Sequence, residues 1–380
     1  MEILAYTQEH EAFRKRLAEF LAAEVVPLIP RFEEERMVGK DVWRKMGRAG
    51  FLCPALSRDY GGPGGDFLHS VIVIEELSRS GISGFATPLH SDIVVPYIEA
   101  YGSEEQKRAW LPGCADGSVV TAVAMTEPGA GSDLASMTTT DVETNGQVSL
   151  SGAKTFISNG IIADLVIVAA RDPEVKNPHE AISLYLVQDG TPGLSRGRKL
   201  DKMGLQTQDT AELFFTNCRI PAENRLGMKG GGFLMLMQKL QQERLVVALM
   251  AVCAMDRIVS WITDYCKSTK VNGRALSRGQ AVSFALVEMA TEAKIARTFV
   301  EKLVADHMEK KQVVVETSMA KYWASDAATR LAGRALDLMG PEAVLDCHPM
   351  ARAFRDVRVM SIFAGANEIM KMIAGRFMGL

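Results

Sequence analysis

A glycine-rich loop that carries hydroxyl side chains follows the first β-rich run of the chain. Within residues 124–133, Gly129 and Gly131 allow the backbone to approach a flat or anionic ligand closely. The hydroxyl groups of Thr126 and Ser132 can donate hydrogen bonds to carbonyl or phosphate oxygens. Taken alone, a loop of this composition is more often a plain hairpin, so a second feature beside it is needed to indicate a ligand site.

The segment Lys154–Gly160 supplies that second feature, because it follows the loop at a distance that allows strand pairing. It carries an aromatic ring at Phe156 and a hydroxyl group at Ser158. These two residues are two positions apart, so they lie on the same face of a strand. The loop and this strand face together predict a wall against which a planar cofactor fits.

Helical segments flank the β-rich region that contains these motifs. From Glu9 to about Leu111 the apolar residues recur at three- and four-residue spacing, which is typical of helices. Between about Val119 and Arg225, short β-rich runs are separated by turn residues and not by helices, so a doubly wound dinucleotide-binding sheet is not expected. After residues 230–232, which are all glycine, three long periodic stretches predict a helical bundle, with a last helix near Gly365: 233–268, 280–311 and 313–339.

The predicted fold class is therefore an α+β multidomain protein. Its domains are an N-terminal helical domain (1–118), a middle β-barrel or β-sandwich domain (119–228) and a C-terminal four-helix bundle domain (229–380). The length of 380 residues is enough for two or three domains at roughly 100–200 residues each.

The composition excludes several classes of partner. The 43 basic and 46 acidic side chains give a net charge of −3 without a basic patch, so no nucleic acid or anionic membrane is expected. The six cysteines contain no C-x-x-C pair, and neither they nor the histidines show metal-ligand spacing. The N-terminal residues lack a signal-peptide pattern, and Arg244 and Asp256 interrupt the most apolar run. We expect a cytoplasmic protein that does not span a membrane and holds no metal.

Four segments carry a resemblance to a known family. The chain resembles the acyl-CoA dehydrogenase family of flavoproteins over essentially its full length. The family's signature and flavin segments are similar to residues 124–133, 154–160, 201–215 and 362–369 here. The resemblance implies the same helical, β, helical order, a tetramer built as a dimer of dimers, and FAD bound between the β domain and the C-terminal bundle.

The resemblance also implies the chemistry. A carboxylate removes a proton from the α-carbon of an acyl thioester, and the β-carbon transfers a hydride to the flavin. Many members carry this carboxylate in a Tyr-Glu-Gly-Thr sequence, where this chain has Ala364, which cannot take a proton. Other branches, the isovaleryl and long-chain enzymes among them, carry it in a Glu-Arg-Leu sequence, which is present here at residues 243–245. Glu243 is therefore the predicted catalytic base.

The local sequence allows this role for Glu243. A carboxylate in an apolar cleft has its pKa raised toward neutrality and becomes a competent general base. Four apolar residues lie at helical spacing on its face: Leu236, Leu240, Val246 and Val247. The alternative is that Glu243 and Arg244 form part of a polar face with Gln241 and Gln242.

Further site residues are assigned by the same resemblance, with Arg244 orienting the base and the thioester. The residues predicted to bind the cofactor are Met125, Thr126, Gly131, Ser132, Phe156, Ser158, Lys270 and Gln280. Those predicted to bind the substrate are Ser132, Arg244, Gly365 and Arg376.

Three segments depart from the family pattern, all in the C-terminal domain. The arginine that pairs with the FAD pyrophosphate in relatives is replaced by Thr269, and the neighbouring Lys270 offers only a point charge in its place. The adenosine-binding Gln-x-x-Gly-Gly-x-Gly sequence reads Asp337–Ala343, and the signature threonine is Ala366. Loss of one charge-assisted contact weakens binding roughly 10–150-fold, so FAD is predicted to be held less tightly than in relatives.

Two functions follow from these observations. The first is an FAD-dependent acyl-thioester dehydrogenase that is reoxidised by an electron-transferring flavoprotein. The second is an FAD-poor subunit that binds acyl thioesters without oxidising them. The sequence of residues 208–215 is similar to that of long-chain or branched-chain enzymes of the family. A thioester of coenzyme A is expected over one of an acyl carrier protein on family frequency alone. Asp92 is expected to be exposed or a helix cap, with the alternative of an acid that acts on cyclic thioesters.

Overall fold

The N-terminal region of the computed structural model, which describes residues 3–380, is built from short helices. Three of them begin with a capping box, at Thr7, Asp66 and Ser103, in which side chain and backbone satisfy each other's free polar groups. The helices are α1 (Gln8–Glu24), α2 (Ile29–Glu35), α3 (Lys40–Arg48), α4 (Phe67–Arg79), α5 (Val95–Tyr101) and α6 (Glu104–Asp116), and a π-helical segment, Leu89–Val94, precedes α5.

The middle region forms one eight-stranded mixed sheet. Its strands are β1 (Thr121–Ala124), β2 (Thr140–Thr144), β3 (Gln147–Ser158), β4 (Leu165–Arg171), β5 (Ile182–Gln188), β6 (Leu194–Lys199), β7 (Thr210–Pro221) and β8 (Arg225–Leu226). The order is β6-β7-β3-β2-β4-β5-β8, and β1 pairs in parallel with β4. One short helix, α7 (Pro178–Ala181), precedes β5.

Strand β4 is apolar throughout because both of its faces are covered. Leu165 and Ile167 pack in the core shared with the N-terminal helices. Val166 and Val168 point to the opposite face and pack in the core of the sheet itself. A strand that is buried on both sides needs a continuous apolar run and not an alternating one, which is the pattern of this segment.

The C-terminal region is the predicted helical bundle. Its elements are α8 (Gly232–Ser268), the hairpin β9 (Lys270–Val271) and β10 (Arg274–Ala275), then α9 (Gln280–Met308), α10 (Val314–Met339), α11 (Pro349–Arg358) and α12 (Asn367–Phe377). The three long helices end within three residues of the predicted bounds, which confirms the helical, β, helical order. Helix α11 was not predicted, because ten residues that begin with proline give little periodic signal.

Helix α8 has the length and composition of a membrane span, with a mean hydropathy of 2.0 in its most apolar window. Within the protein, however, 72% of that window is buried. Its apolar side chains pack with those of α4, α9 and α10 in one core. A helix that is apolar on most of its circumference is expected at the centre of a bundle.

The β domain and the bundle are joined by a close backbone contact. The amide of Leu205 donates to Asp356 Oδ1 on α11 at 2.6 Å, and burial raises the pKa of Asp356 to about 6. Beside it, a Cβ at Gly204 would lie 2.3 Å from the carbonyl oxygen of Arg355. Only glycine allows the loop to approach α11 this closely.

Gly204→Ala is therefore expected to destabilise the protein, because the added methyl group has no space against α11. Overpacking of this kind lowers the free energy of unfolding by about 1–3 kcal/mol. Gly333→Ala is the matched control, since the nearest atom to its Cβ lies 4.0 Å away and alanine favours a helix. Denaturant unfolding followed by circular dichroism measures both, and equal unfolding midpoints would contradict the contact at Gly204.

Candidate active site

Glu243 lies on α8 with only 3% of its surface exposed. The hydroxyl group of Tyr97 on α5, itself fully buried, donates to Glu243 Oε1 at 2.9 Å. Burial raises the pKa of Glu243 to about 7, although the Tyr97 hydrogen bond and the charge of Arg244 oppose this shift. The structure thus excludes an exposed polar face at Glu243. Even its neighbour Gln241 is buried, where its Oε1 accepts from the amide of Val313.

Two buried cations belong to the same part of the bundle. Arg244 Nη1 donates to Ser318 Oγ at 3.3 Å, and its Nε has no hydrogen-bond partner among residues 3–380. Lys321 on α10 is fully buried, and burial lowers its pKa to about 8. Within the described residues neither side chain has a carboxylate within salt-bridge distance. Their charges favour an anion or a polarised carbonyl group nearby.

Lys321 fixes the loop that carries Ala364. Its Nζ donates to the Gly365 carbonyl oxygen at 2.6 Å and to Asn367 Oδ1 at 3.0 Å. The loop needs this support because Ala364 and Gly365 have φ values of 50° and 90°, and the first is unfavourable for a residue with a Cβ. The predicted substrate residue Gly365 is thus held by its backbone against α10.

A buried ion pair holds the glycine-rich loop. Lys154 Nζ on β3 lies 2.8 Å from Glu127 Oε1 and donates to the Met125 carbonyl oxygen at 3.1 Å. Glu127 also accepts from the backbone amides of Thr138 and Thr139 at 2.6 and 2.9 Å. Burial alone would raise the pKa of Glu127, but the charge of Lys154 and these hydrogen bonds lower it to about 2. This pair was not predicted from the sequence, although a lysine inside a β-rich run is a usable signal of a buried counterion.

Phe156 lies on a bulge in β3, where the pairing with β7 shifts register between Lys154 and Ile157. Its φ is 57°, an unfavourable value for an aromatic residue, and 68% of the residue is exposed. Ser158, two residues on, is half-buried. An exposed ring held in a strained backbone conformation is suited to cover a planar ligand.

The residues present fit FAD at two places. In the loop, Met125 and Thr126 are half-buried and Ser132 is exposed, and a Cβ at Gly131 would meet no atom within 4 Å, so a flat ligand can approach the backbone. The loop's hydroxyl groups and its open backbone at Gly131 suit the flavin ring.

The second place is the β9–β10 hairpin, where Asn272 and Gly273, with φ values of 50° and 77°, form the turn. Lys270 and Arg274 are exposed on the hairpin, and Gln280 is exposed at the start of α9. These side chains suit a pyrophosphate. The sequence analysis missed Arg274, a second cation close to the replaced arginine position.

The remaining predicted substrate residue, Arg376, is exposed in the last turn of α12. It lies at the surface, in contrast to the buried Arg244 and Glu243. The structure brings together the residues around Glu243 and, separately, those around the glycine-rich loop.

The expectation that Asp92 is exposed or a cap is wrong, because only 4% of its surface is exposed. It lies in the π-helical segment before α5. Pro96, four residues on, has no N–H to offer the Asp92 carbonyl oxygen, which instead accepts from Gln242 Nε2 at 2.6 Å. This contact holds the segment against α8, and burial raises the pKa of Asp92 to about 7.

A small apolar cleft lies beside α8. Its lining comes mainly from α4, α8 and the segment before α5, with Met250 and Ala254 on α8. Glu243 and Met250 are seven residues apart, so they lie on the same side of the helix, about 10 Å apart along its axis. Glu243 is not among the residues that line the cleft, which lies farther along α8 toward its C-terminus.

A cluster of two histidines and an aspartate lies outside this cleft. His10 Nε2 and His69 Nδ1 are each 3.0 Å from Asp66 Oδ1. The ring nitrogens also accept from the backbone amides of Thr7 and Asp66, at 3.0 and 3.2 Å. These contacts are the linked caps of α1 and α4, so the cluster has a structural role.

Three family models match consecutive parts of the chain. They describe the N-terminal domain of acyl-CoA dehydrogenase over residues 7–118, its middle domain over 122–218 and its C-terminal domain over 230–379. Among curated relatives, the mitochondrial long-chain specific acyl-CoA dehydrogenase of Sus scrofa is 41% identical over 372 residues, which cover 98% of this chain and 86% of the relative.

Solved structures agree with these matches. The acyl-CoA dehydrogenase from Geobacillus kaustophilus has a TM-score of 0.97 and 48% identity, with 99% of each chain covered. A chain in the structure of the electron transferring flavoprotein of Acidaminococcus fermentans has a TM-score of 0.93 and 31% identity, again over 99% of each chain.

Glu127→Gln is expected to destabilise the protein strongly, because it leaves Lys154 buried without its counterion. Breaking a buried pair in this way costs about 3–5 kcal/mol of unfolding free energy near neutral pH. The pKa of Glu127 is lowered from 4.5 to about 2, so its stabilisation is present above about pH 4.5 and is lost as the pH falls toward 2. The unfolding free energy of the variant should therefore lack this decrease between about pH 4.5 and pH 2.

Chemical denaturation at several pH values measures both effects. Glu212→Gln is the control, because Glu212 forms an exposed pair with Arg198 at 3.3 Å and its loss should change stability little. A Glu127→Gln protein as stable as this control would rule out the role assigned to the buried pair.

Proposed function

The chain belongs to the acyl-CoA dehydrogenase family, and on that premise we propose that Glu243 is the base of its reaction. The protein is an FAD-dependent oxidoreductase that converts the α,β single bond of an acyl-CoA thioester to a double bond. The observation that supports Glu243 most is that its carboxyl group is 3% exposed, with its pKa raised to about 7, and accepts a hydrogen bond from the buried Tyr97. Ala364 leaves no carboxylate at the usual family position.

The proton step depends on the surroundings of Glu243. Tyr97 donates to Oε1, so Oε2 is free to take the proton from the substrate α-carbon. A pKa near 7 means that a useful fraction is ionised at neutral pH and that the carboxylate is basic enough to accept a proton. Arg244 and Lys321 place positive charge nearby, which stabilises the negative charge that develops at the thioester carbonyl.

Bound FAD supplies the acceptor for the β-hydride. In our proposal the chain's own residues hold and orient it: Phe156 covers the ring, and Thr126, Ser132 and Ser158 donate to its polar edge. The Glu127–Lys154 pair keeps the loop in place before the cofactor binds. Lys270, Arg274 and Gln280 would bind the pyrophosphate part, replacing the missing family arginine.

The partners follow from the family and from the surface. A related chain occurs in the electron transferring flavoprotein structure, which supports an electron-transferring flavoprotein as the acceptor that reoxidises FAD. An apolar stripe on α9, with Phe284, Val287 and Ile295 each more than half exposed, supports assembly with further copies into a homotetramer. A cytoplasmic location stays a prediction.

The substrate class proposed is a long-chain or branched acyl-CoA. The relative from Sus scrofa, 41% identical to this chain, is named a long-chain enzyme. We favour coenzyme A over an acyl carrier protein because the relatives from Sus scrofa and Geobacillus kaustophilus are named acyl-CoA dehydrogenases.

Glu243→Gln is expected to abolish turnover while leaving ligand binding largely intact. In the wild type, the visible absorbance of oxidised flavin should bleach when a saturated acyl-CoA is added without an electron acceptor. In the variant the rate of bleaching should fall at least about 100-fold, because an amide of the same shape cannot accept the proton.

Asp92→Asn is the matched control, since it neutralises another buried carboxyl group whose pKa is also raised to about 7. Bleaching that survives in Glu243→Gln but not in Asp92→Asn would move the base to Asp92. A colourless wild-type protein that takes up no FAD would favour the non-oxidising subunit instead.

The value of kcat/KM is expected to rise with pH through about pH 7, because only ionised Glu243 accepts a proton. Tyr97→Phe removes a hydrogen bond that favours the ionised form, so it should raise the pKa further and move the rising limb to higher pH. Tyr101→Phe is the control, since that hydroxyl group donates to Gln238 at 2.7 Å and not to the base. Coincident profiles for Tyr97→Phe and the wild type would argue against Glu243 as the titrating group.

A further inference from the structure

The loop before α12 leaves three backbone amides without an acceptor. The amides of Ala364, Gly365 and Ala366 donate to no atom among residues 3–380. Ala366 is also the N-cap of α12, and its side chain makes no capping hydrogen bond to the helix. Backbone N–H groups that are left free in this way require an oxygen acceptor. The loop therefore has hydrogen bonds to offer to a bound ligand.

A buried polar network holds this loop against α10. Lys321 Nζ donates to the Gly365 carbonyl oxygen at 2.6 Å and to Asn367 Oδ1 at 3.0 Å. Asn367 Nδ2 donates in turn to Ser325 Oγ at 2.9 Å and to Asp326 Oδ1 at 2.8 Å. Because Lys321, Ser325 and Asn367 are all buried, solvent does not compete for these contacts.

The Lys321 contact also sets the direction of one free amide. The carbonyl and N–H groups of a trans peptide unit point in opposite directions, and the described residues contain no cis peptide bond. Because the Gly365 carbonyl group points at Lys321, the amide of Ala366 in the same peptide unit points away from α10. Ala364 has an unfavourable φ of 50°, so the turn depends on an anchor of this kind.

Helix α10 connects this loop to the residue beside the proposed base. Arg244 Nη1 donates to Ser318 Oγ at 3.3 Å, and Ser318 lies three residues before Lys321 on the same face of α10. Burial has the largest effect on the Lys321 ammonium group and lowers its pKa to about 8. The charge of Arg244 on α8 acts in the same direction, whereas Asp326 on α10 and Glu368 on α12 oppose it.

We propose that Lys321 is a positioning residue of the dehydrogenation, whose ammonium group holds the loop 362–366 so that its free amides face the bound acyl thioester. This inference rests on the proposed function, because it takes Glu243 and its neighbour Arg244 as the place where the thioester binds. Burying an ammonium group that has only neutral acceptors is unfavourable, and a methionine would fill the same space at a lower cost. The charge of Lys321 therefore serves the reaction and not the packing of the bundle.

The proposal gives kcat/KM a falling limb at high pH. Charge-assisted hydrogen bonds are roughly twice as strong as neutral ones, so the hold on Gly365 weakens when Lys321 loses its proton. This loss occurs as the pH rises through the Lys321 pKa of about 8. Since ionisation of Glu243 makes kcat/KM rise through about pH 7, the full profile should have its maximum between these two values.

Lys321→Met tests the role of the charge in the FAD-loaded enzyme, with flavin absorbance as the check that the cofactor is retained. We expect kcat to fall roughly 10–150-fold, the value of one charge-assisted contact, while KM changes less. Because no ammonium group is left to titrate, the falling limb above about pH 8 should disappear. Lys302→Met is the matched control, since the Lys302 side chain is 57% exposed on α9. A wild-type kcat with an unchanged falling limb in Lys321→Met would overturn the inference but leave the proposed function standing.

Asp326→Asn tests the same titration with Lys321 in place, and it decides the question if Lys321→Met does not fold. The new side chain can still accept from Asn367 Nδ2, but a charge that raises the pKa of Lys321 is removed. The falling limb should therefore move to lower pH, while the rising limb of Glu243 stays in place. Coincident falling limbs in Asp326→Asn and the wild type would overturn the role of Lys321. A wild-type flavin that acyl-CoA does not bleach would overturn the proposed function together with this inference.

Discussion

The removal of the Glu243 carboxyl group from water is the constraint on which the rest of the structure depends. A carboxylate at the surface would have an ordinary pKa and would be a weak base. Burial requires a long apolar helix, and α8 is covered by α4 on one side and by α9 and α10 on another. It also requires a hydrogen-bond donor that cannot be displaced by solvent, which the fully buried Tyr97 provides. The N-terminal domain thus contributes to the surroundings of the proposed base, although it carries no residue that we assign to catalysis.

The β domain meets a different requirement, because it must present a flat, open surface and still hold its loop rigidly. It does so with two layers of side chains. The outer layer, with Phe156 and Ser132, is exposed, and the Phe156 backbone is strained. The inner layer is the Glu127–Lys154 pair, which is buried and satisfied by backbone amides. Stabilisation in the inner layer offsets the strain of the outer one.

The sequence was sufficient to predict the helical, β, helical order and the positions of the long helices, because periodicity over 26 or more residues is a strong signal. It also predicted Glu243 as the base, but only through a Glu-Arg-Leu sequence that resembles the one in some branches of the family. It could not reveal Tyr97 or the burial of Asp92, since both depend on contacts between residues more than 140 positions apart. The environment of Asp92 was misjudged because the effect of Pro96 on a carbonyl group four residues earlier appears only when α8 packs against it.

Glu243 and Met250 lie seven residues apart on the same side of α8. Inserting or deleting one residue between them would rotate one relative to the other by about 100° and shift it by about 1.5 Å along the axis, so Met250 would leave the side of the helix that carries Glu243. Insertions keep the alignment only in steps that restore the helical phase, about seven residues or 10 Å at a time. Homologues are therefore expected to differ in side-chain size on an unbroken helix, and length changes should accumulate in the loops around it.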